Sequence, residues 1–315
     1  MPKIMQFTPN RPIVLLDTPG AQMSALLGLR DILVLATRLD VGGSPLDLQI
    51  HRPDALPDDQ VAAFVFAPSI EGARPTPGDP VLAWAARQHA GGALACSVCA
   101  GAFWLAEAGL LHGRPATTHW GLEDSFRRAY PEVHLAPEHI LVDDGDVITA
   151  GGLMAWTDLG LHLVGRWFGA EQVSRLARHL LIDPAGREQR AYSTFHPPRQ
   201  HRDSAVLAAQ RHMDRHYGEA LSVPLLAQIA CLSERSFVRR FTAATQLPPA
   251  TYLQALRIEK ARGALERSQT GIAQIAWECG YRDTAAFARA FKSVTGLTPG
   301  TYRARFRPKS PPLRA

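Results

Sequence analysis

From about Ser222 to Arg303 the chain repeats one short helical pattern, and few folds accommodate such a repeat. The first copy reads Leu226-Ala227, then Leu232-Ser233, then Phe237-Val238-Arg239-Arg240-Phe241. The second reads Ile275-Ala276, then Gly280-Tyr281, then Phe287-Ala288-Arg289-Ala290-Phe291. Phe237/Phe287, Arg239/Arg289 and Phe241/Phe291 are each 50 positions apart. Phenylalanines at i and i+4 share one face of a helix and anchor it to a small core. The arginine between them, at i+2, points off that core. A short turn precedes each such helix, the geometry that presents a recognition helix to a major groove. A helix-like run at Tyr252–Leu265 joins the two copies.

Charge divides along the same line. From Ala205 to the end there are 17 basic and 7 acidic residues, a net of +10, while the residues before it carry a net of −5. A basic half joined to an acidic half is the electrostatic footprint of a nucleic-acid reader tethered to something else.

The stretch Ala273-Gln274-Ile275-Ala276-Trp277-Glu278-Cys279-Gly280-Tyr281, with Phe287 to Lys292 and Gly296-Leu297-Thr298-Pro299, closely resembles the AraC/XylS-type DNA-binding domain over about Ala205–Arg307. That resemblance implies an all-α double helix-turn-helix domain whose partner is double-stranded DNA. Ser233 is placed to cap the first recognition helix and Asp283 the second. By position within the motif, Arg235, Ser236 and Arg239 face bases in the first half, and Thr284, Ala285, Ala286 and Arg289 in the second. An arginine paired bidentately with guanine discriminates by about 1–3 kcal/mol, whereas an alanine offers at most contact with a thymine methyl. Arg240 and Lys292 are expected to face phosphate or solvent.

The four cysteines, Cys96, Cys99, Cys231 and Cys279, do not form a disulfide framework. Cys96 and Cys99 have C-x-x-C spacing but no second metal-like pair, so neither a metal nor a redox cofactor is expected. The uncharged run Ala90–Ala106 is long enough to approach a membrane span, yet its Gly, Ser and Cys content fits a strand, tight turn and helix better. No basic-then-apolar leader opens the chain, and a soluble, cytoplasmic protein without membrane contact is expected.

Ahead of the basic half, strands and helices alternate. Ile13–Leu16, Leu46–His51, Ala63–Ala67 and Ala93–Val98 read as strands; Met23–Leu39, Pro80–Ala90, Ala102–Leu110 and Gly121–Tyr130 read as helices. Asp143-Asp144-Gly145-Asp146 turns Ile140–Val142 back on Val147–Thr149, and Ala155–Phe168 and Glu171–Leu181 close the unit as helices. Such alternation implies βαβ units and a doubly wound α/β sheet. Apolar periodicity then stops and Pro, Arg, Gln and His dominate. The expected division is an α/β domain over 1–185, a linker over 186–204, the helical domain over 205–307 and a tail over 308–315; residues 1–12 read as loose.

Ser97-Val98-Cys99-Ala100-Gly101 places a potential nucleophile on a strand-to-helix turn, where the helix dipole would favour thiolate. With Cys99 to Leu111 and Thr117-Thr118-His119, the region Pro12–Leu181 resembles the DJ-1/PfpI-type domain of the class I glutamine amidotransferase-like group. Joined to an AraC-type tail, the whole resembles the GlxA-like group of AraC-family regulators. The resemblance implies a homodimer and, in an activator, contact with RNA polymerase. It implies a pocket for a small effector; the group includes regulators that respond to amino acids and quaternary amines such as betaines. Cys99 and His119 are dyad candidates of a vestigial kind. The carboxylate that approaches the cysteine in DJ-1-like proteins is replaced by Ala25, and the Gly-Gly after the third strand by Ser69-Ile70. A non-catalytic sensor is therefore expected, with Cys99, His119, Trp120, Met154 and Trp156 as ligand-binding candidates at the carboxyl ends of the strands. His119 and Trp120 are read as following a further strand, and Trp120 and Trp156 can offer aromatic faces to a cation. Two other readings stay open: a cysteine-dependent hydrolase or amidase tethered to DNA, and a constitutive regulator whose N-terminal domain only dimerises.

Overall fold

In the computed structural model, residues 11–39, 45–184 and 187–308 are described. All but the first residue of the expected tail 308–315, most of the expected loose start and the junction at 185–186 lie outside the described residues. The chain forms two compact units, Met1–Gln189 and Arg190–Ala315.

The first unit is a six-stranded sheet in the order β2-β1-β3-β4-β8-β7. Its strands are β1 (Ile13–Leu16), β2 (Leu48–His51), β3 (Ala63–Phe66), β4 (Leu94–Val98), β7 (Leu141–Asp143) and β8 (Val147–Ala150). All pair in parallel except β7, which returns antiparallel on β8 as the hairpin turn expects. Ile13 and Leu15 face one core, Val14 and Leu16 the other. Both faces are covered, which is why these strands read as continuous apolar runs.

One layer holds α1 (Met23–Leu39), α5 (Trp156–Phe168) and α6 (Ala170–Leu180). Leu26, Leu29, Ile32 and Leu33 form the buried stripe of α1 at helical spacing. The other layer holds α2 (Pro80–Ala90), α3 (Ala102–Glu107) and α4 (Glu123–Ala129). The further strand before His119 is real but lies elsewhere: among the described residues, β5 (Pro115–Ala116) pairs with β6 (His134–Leu135) alone, in a separate parallel ribbon. Two-residue strands have no room to show a period, which is why β6 left no sequence signal.

The second unit contains α7 (Ser204–His216), α8 (Val223–Ile229), α9 (Glu234–Thr245), α10 (Pro249–Arg267), α11 (Ile272–Glu278), α12 (Thr284–Thr295) and α13 (Pro299–Phe306). It has two cores, one per repeat. Phe237 and Phe241 fill the first, Phe287 and Phe291 the second. The joining helix α10 serves both, giving Tyr252 and Leu256 to one and Ile258, Ala261 and Leu265 to the other.

The stretch read as linker is fastened where it is described. The Gln189 side chain is buried in the first unit, where it donates to the carbonyls of Thr118 (2.8 Å) and His139 (2.9 Å). In the second unit, Arg262 of α10 donates to the carbonyls of Arg190 (3.0 Å) and Ser193, and Glu259 accepts the Phe195 N–H at 3.0 Å. Among the described residues, no helix is long and apolar enough to cross a membrane.

Candidate functional site

The outward faces of α9 and α12 carry the expected reading residues. Ser233 caps α9 by accepting the Ser236 N–H, and Asp283 caps α12 by accepting those of Ala285 and Ala286 at 3.0 and 2.9 Å. Each helix buries its phenylalanine pair completely, so the opposite face is presented to solvent. Arg235, Arg239, Thr284, Ala285 and Arg289 are exposed, while Ser236 and Ala286 are half-buried. The Ser236 hydroxyl is engaged by that of Ser233 at 3.1 Å, which makes it part of the cap. Arg289 stands 3.8 Å from the Asp283 carboxylate with both groups open to solvent.

Two residues add to the sequence reading. Arg240, its side chain 37% exposed, grips Asp203, the cap of α7, through two hydrogen bonds of 2.7 and 2.8 Å. Val238 was not singled out, yet it is 36% exposed beside Arg239. Counting i+3 and i+4 from Arg235 lands on Val238 and Arg239, so helical arithmetic alone finds it.

In the first unit, strand register brings Leu16, Phe66, Ser97 and Thr149 level across the sheet. The segments leaving the sheet after them share its carboxyl edge. Cys99 sits there in a left-handed conformation (φ 55°), its carbonyl accepting the Thr118 hydroxyl at 2.7 Å. The expectation of a thiolate is overturned. Cys99 is only 5% exposed, and burial pushes its pKa up to about 11, outweighing the pull of the Ala100 N–H and of Arg74. The following helix, at six residues, is too short to reverse that balance.

Nor do the dyad candidates meet. Among the described residues no hydrogen bond joins Cys99 to His119, whose Nδ1 accepts the Gly121 N–H at 3.0 Å. Burial lowers the His119 pKa below the ordinary histidine value. The Trp120 ring lies 5.0 Å from that of His119, and Met154 Sδ lies 3.8 Å from Gln22 Nε2. Trp156 packs the edge of its ring against α1 at Gly28, so close that a Cβ there would come within 2.5 Å of it.

Side chains that the sequence reading did not single out stand at this edge beside the expected Trp156. Thr18 Oγ1, Gln22 Oε1, Ser97 Oγ and Trp156 Nε1 are buried without a hydrogen-bond partner among the described residues. Arg74, on the segment after β3, lies over Phe103 of α3. A separate groove of about 870 Å³ is lined by Ile140, Leu161, His162, Arg166 and Val173, and by none of the expected ligand residues. Among the described residues no group of three His, Cys, Asp or Glu side chains could hold a metal ion.

Comparison with known proteins adds a second line of evidence. A helix-turn-helix domain model matches residues 226–305 and the DJ-1/PfpI family model residues 72–166. The HTH-type transcriptional regulator ArgR of Pseudomonas aeruginosa is 32% identical over 234 residues, covering 71% of this chain and 69% of that protein. The HTH-type transcriptional regulator GlxA of Rhizobium meliloti is 31% identical over 217 residues, covering 66% of this chain and 64% of that protein. Among solved structures, Drosophila melanogaster DJ-1beta matches with a TM-score of 0.45 and 18% identity, over 55% of this chain and 98% of that one.

Proposed function

Because the chain belongs to the GlxA-like group of AraC/XylS-family transcriptional regulators, we propose that it binds DNA through α9 and α12 and regulates transcription in response to a small metabolite sensed by its first unit. The observation that carries the DNA reading is the repeated recognition helix. Each copy buries its phenylalanine pair and leaves an arginine, Arg239 or Arg289, on the opposite exposed face. With α10 joining the two, the natural target is a pair of major-groove segments about one helical turn, roughly 34 Å, apart.

The first unit is read as a non-catalytic sensor, an activating switch acting in a homodimer that engages RNA polymerase. Support for the non-catalytic reading is the buried, protonated Cys99 without a bond to His119. Support for the sensor reading is the set of unpartnered polar atoms at the sheet edge, because buried polar groups ordinarily find partners. A ligand that binds one arrangement of the protein better than another shifts the equilibrium toward it, and needs no chemistry.

The test is a thermal-shift screen of the full-length protein against amino acids, betaines and related amines, followed by DNA binding with and without each hit. Specific binding to the folded state raises the melting midpoint by mass action. A hit that also changes DNA affinity supports the sensor. The sensor reading fails if a broad panel yields no hit, or if DNA binding ignores every hit; turnover abolished by Cys99→Ser would replace it with an enzyme.

A further inference from the structure

Two consecutive residues, Gln189 and Arg190, are fastened in different units. Gln189 is 2% exposed, and its side chain donates to the carbonyls of Thr118 and His139 while accepting the Trp120 N–H at 3.1 Å. Its own N–H donates to the Glu138 carbonyl at 2.9 Å. A Cβ at Gly151 would overlap the Gln189 amide, so the glycine makes room for this anchor. The anchor sits among the candidate sensor residues: the Thr118 hydroxyl holds the Cys99 carbonyl, and His119 and Trp120 follow directly.

One peptide bond later the chain is bound to the second unit. The carbonyls of Arg190 and Ser193 accept from Arg262, and the Phe195 N–H donates to Glu259 at 3.0 Å. Arg262 is 3% exposed, and an arginine buried this deeply needs partners for its donors. The carbonyls of 190 and 193 supply them, since the Glu259 carboxylate stands 3.8 Å away. The same segment touches both repeats. Phe195 packs edge-on against Tyr252 of the first core, with centroids 5.2 Å apart. Tyr192 packs edge-on against Phe306 beside the second core, at 5.1 Å, and its hydroxyl accepts from Arg305 at 2.6 Å.

We propose that residues 189–195 are a coupling strap. They set the spacing of the two reading helices through α10, and the Gln189 anchor ties that spacing to the packing of the sheet edge. Coupling between distant sites is carried by packed side chains and hydrogen-bond networks, which a flexible linker would interrupt. The proposal rests on the reading of α9 and α12 as DNA readers and names the element through which the first unit acts on them.

Four full-length proteins test it: the parent, Arg262→Lys, Gln189→Met, and a chain with two glycines inserted between Gln189 and Arg190. Each is titrated with a duplex selected by the parent from random DNA, and with the same duplex after its two elements are moved one base pair apart. Arg262→Lys keeps the charge but loses the fork that reaches two carbonyls. It is expected to lower the parent's preference for its own spacing by about threefold or more, the scale of a lost hydrogen bond. Uniform weakening on both duplexes, with the preference unchanged, is what a merely structural role gives, and it overturns the strap's hold on spacing. Gln189→Met, similar in volume, is expected to shift the preference in the parent chain and to have no effect once the glycines are present. Gly151→Ala, which expels the Gln189 amide, repeats that comparison with Gln189 intact. Melting midpoints close to the parent's show that the variants fold. Effects at Gln189 and Gly151 that are absent, or equal with and without the glycines, overturn the coupling while DNA reading stands. No specific binding by the parent removes both.

Discussion

Cys231 and Gly280 occupy the same turn in the two halves of the second unit, and both are left-handed, with φ of 53° and 80°. Each follows a short helix, and the next residue closes the turn in the same way: Leu232 N–H to the Ala227 carbonyl, Tyr281 N–H to that of Ala276, both at 2.9 Å. A side chain in this conformation costs roughly 1–2 kcal/mol that glycine avoids, partly offset by glycine's freer unfolded chain. Cys231→Gly is therefore expected to stabilise the protein by up to about 1 kcal/mol, since the exposed thiol packs against little. Gly280→Ala should destabilise by more than that, because its Cβ would lie 2.8 Å from the Arg257 guanidinium and 2.9 Å from the Gly218 carbonyl. Denaturant melts of both variants check the opposite signs.

Arg239→Ala and Arg289→Ala are each expected to cost about 1–3 kcal/mol on the specific site and much less on random DNA. Competition binding at fixed salt measures the two together. Val238 adds a finer expectation: Val238→Ser should weaken a thymine preference next to the base read by Arg239, since only the apolar side chain matches the methyl. Equal losses on specific and random DNA would mean that these residues touch the backbone and not the bases.

Asp203 and Arg240 give a pH-dependent contribution. The hydrogen bonds from Arg240 hold the Asp203 carboxyl below the ordinary aspartate value. A depressed folded-state pKa means stability that is complete above the unfolded value of about 3.9 and lost as the pH falls through the lower folded value. Asp203→Asn keeps a side-chain cap for the Val206 N–H but removes the charge. Its melting midpoint should lie below the parent's at pH 7 and converge on it in acid. A gap that persists unchanged to low pH would show that the ion pair contributes nothing.

Burial of Cys99 makes a chemical expectation. With its thiol protonated at pH 8, iodoacetamide should modify exposed Cys231 quickly and leave Cys99 unmodified in the folded protein. Peptide mass spectrometry after brief labelling distinguishes them. Labelling of Cys99 at the rate of Cys231 would show that the turn opens freely to solvent.

Much of the architecture was written in spacing. Short apolar runs ended by turn residues marked the strands of the doubly wound sheet, period-3.6 patterns marked its helices, and the 50-residue phenylalanine repeat marked the paired helix-turn-helix. The repeat reaches further than those phenylalanines suggested. Thr245 and Thr295 each place a buried hydroxyl 2.8 Å from the carbonyl of Phe241 or Phe291 and 3.0 Å from that of Leu247 or Leu297. Tyr252 and Tyr302 then pack edge-on against Phe241 and Phe291. Thr-x-Leu at the same 50-residue offset was available to find this. Other features had no local signature. The Asp203–Arg240 pair spans 37 positions, Arg74 meets Phe103 only after β3 and β4 align, and the acidity of Cys99 depends on burial that no short motif encodes.

The most direct test of the regulator reading is selection of binding sites by the full-length protein from a library of random duplex DNA. The expected outcome is two sequence elements centred about 10 base pairs apart, with Arg239→Ala relaxing one element and Arg289→Ala the other. A single element, unchanged by one of the two substitutions, would contradict reading by both helices. Binding without sequence preference that merely fades with rising salt would contradict the account altogether.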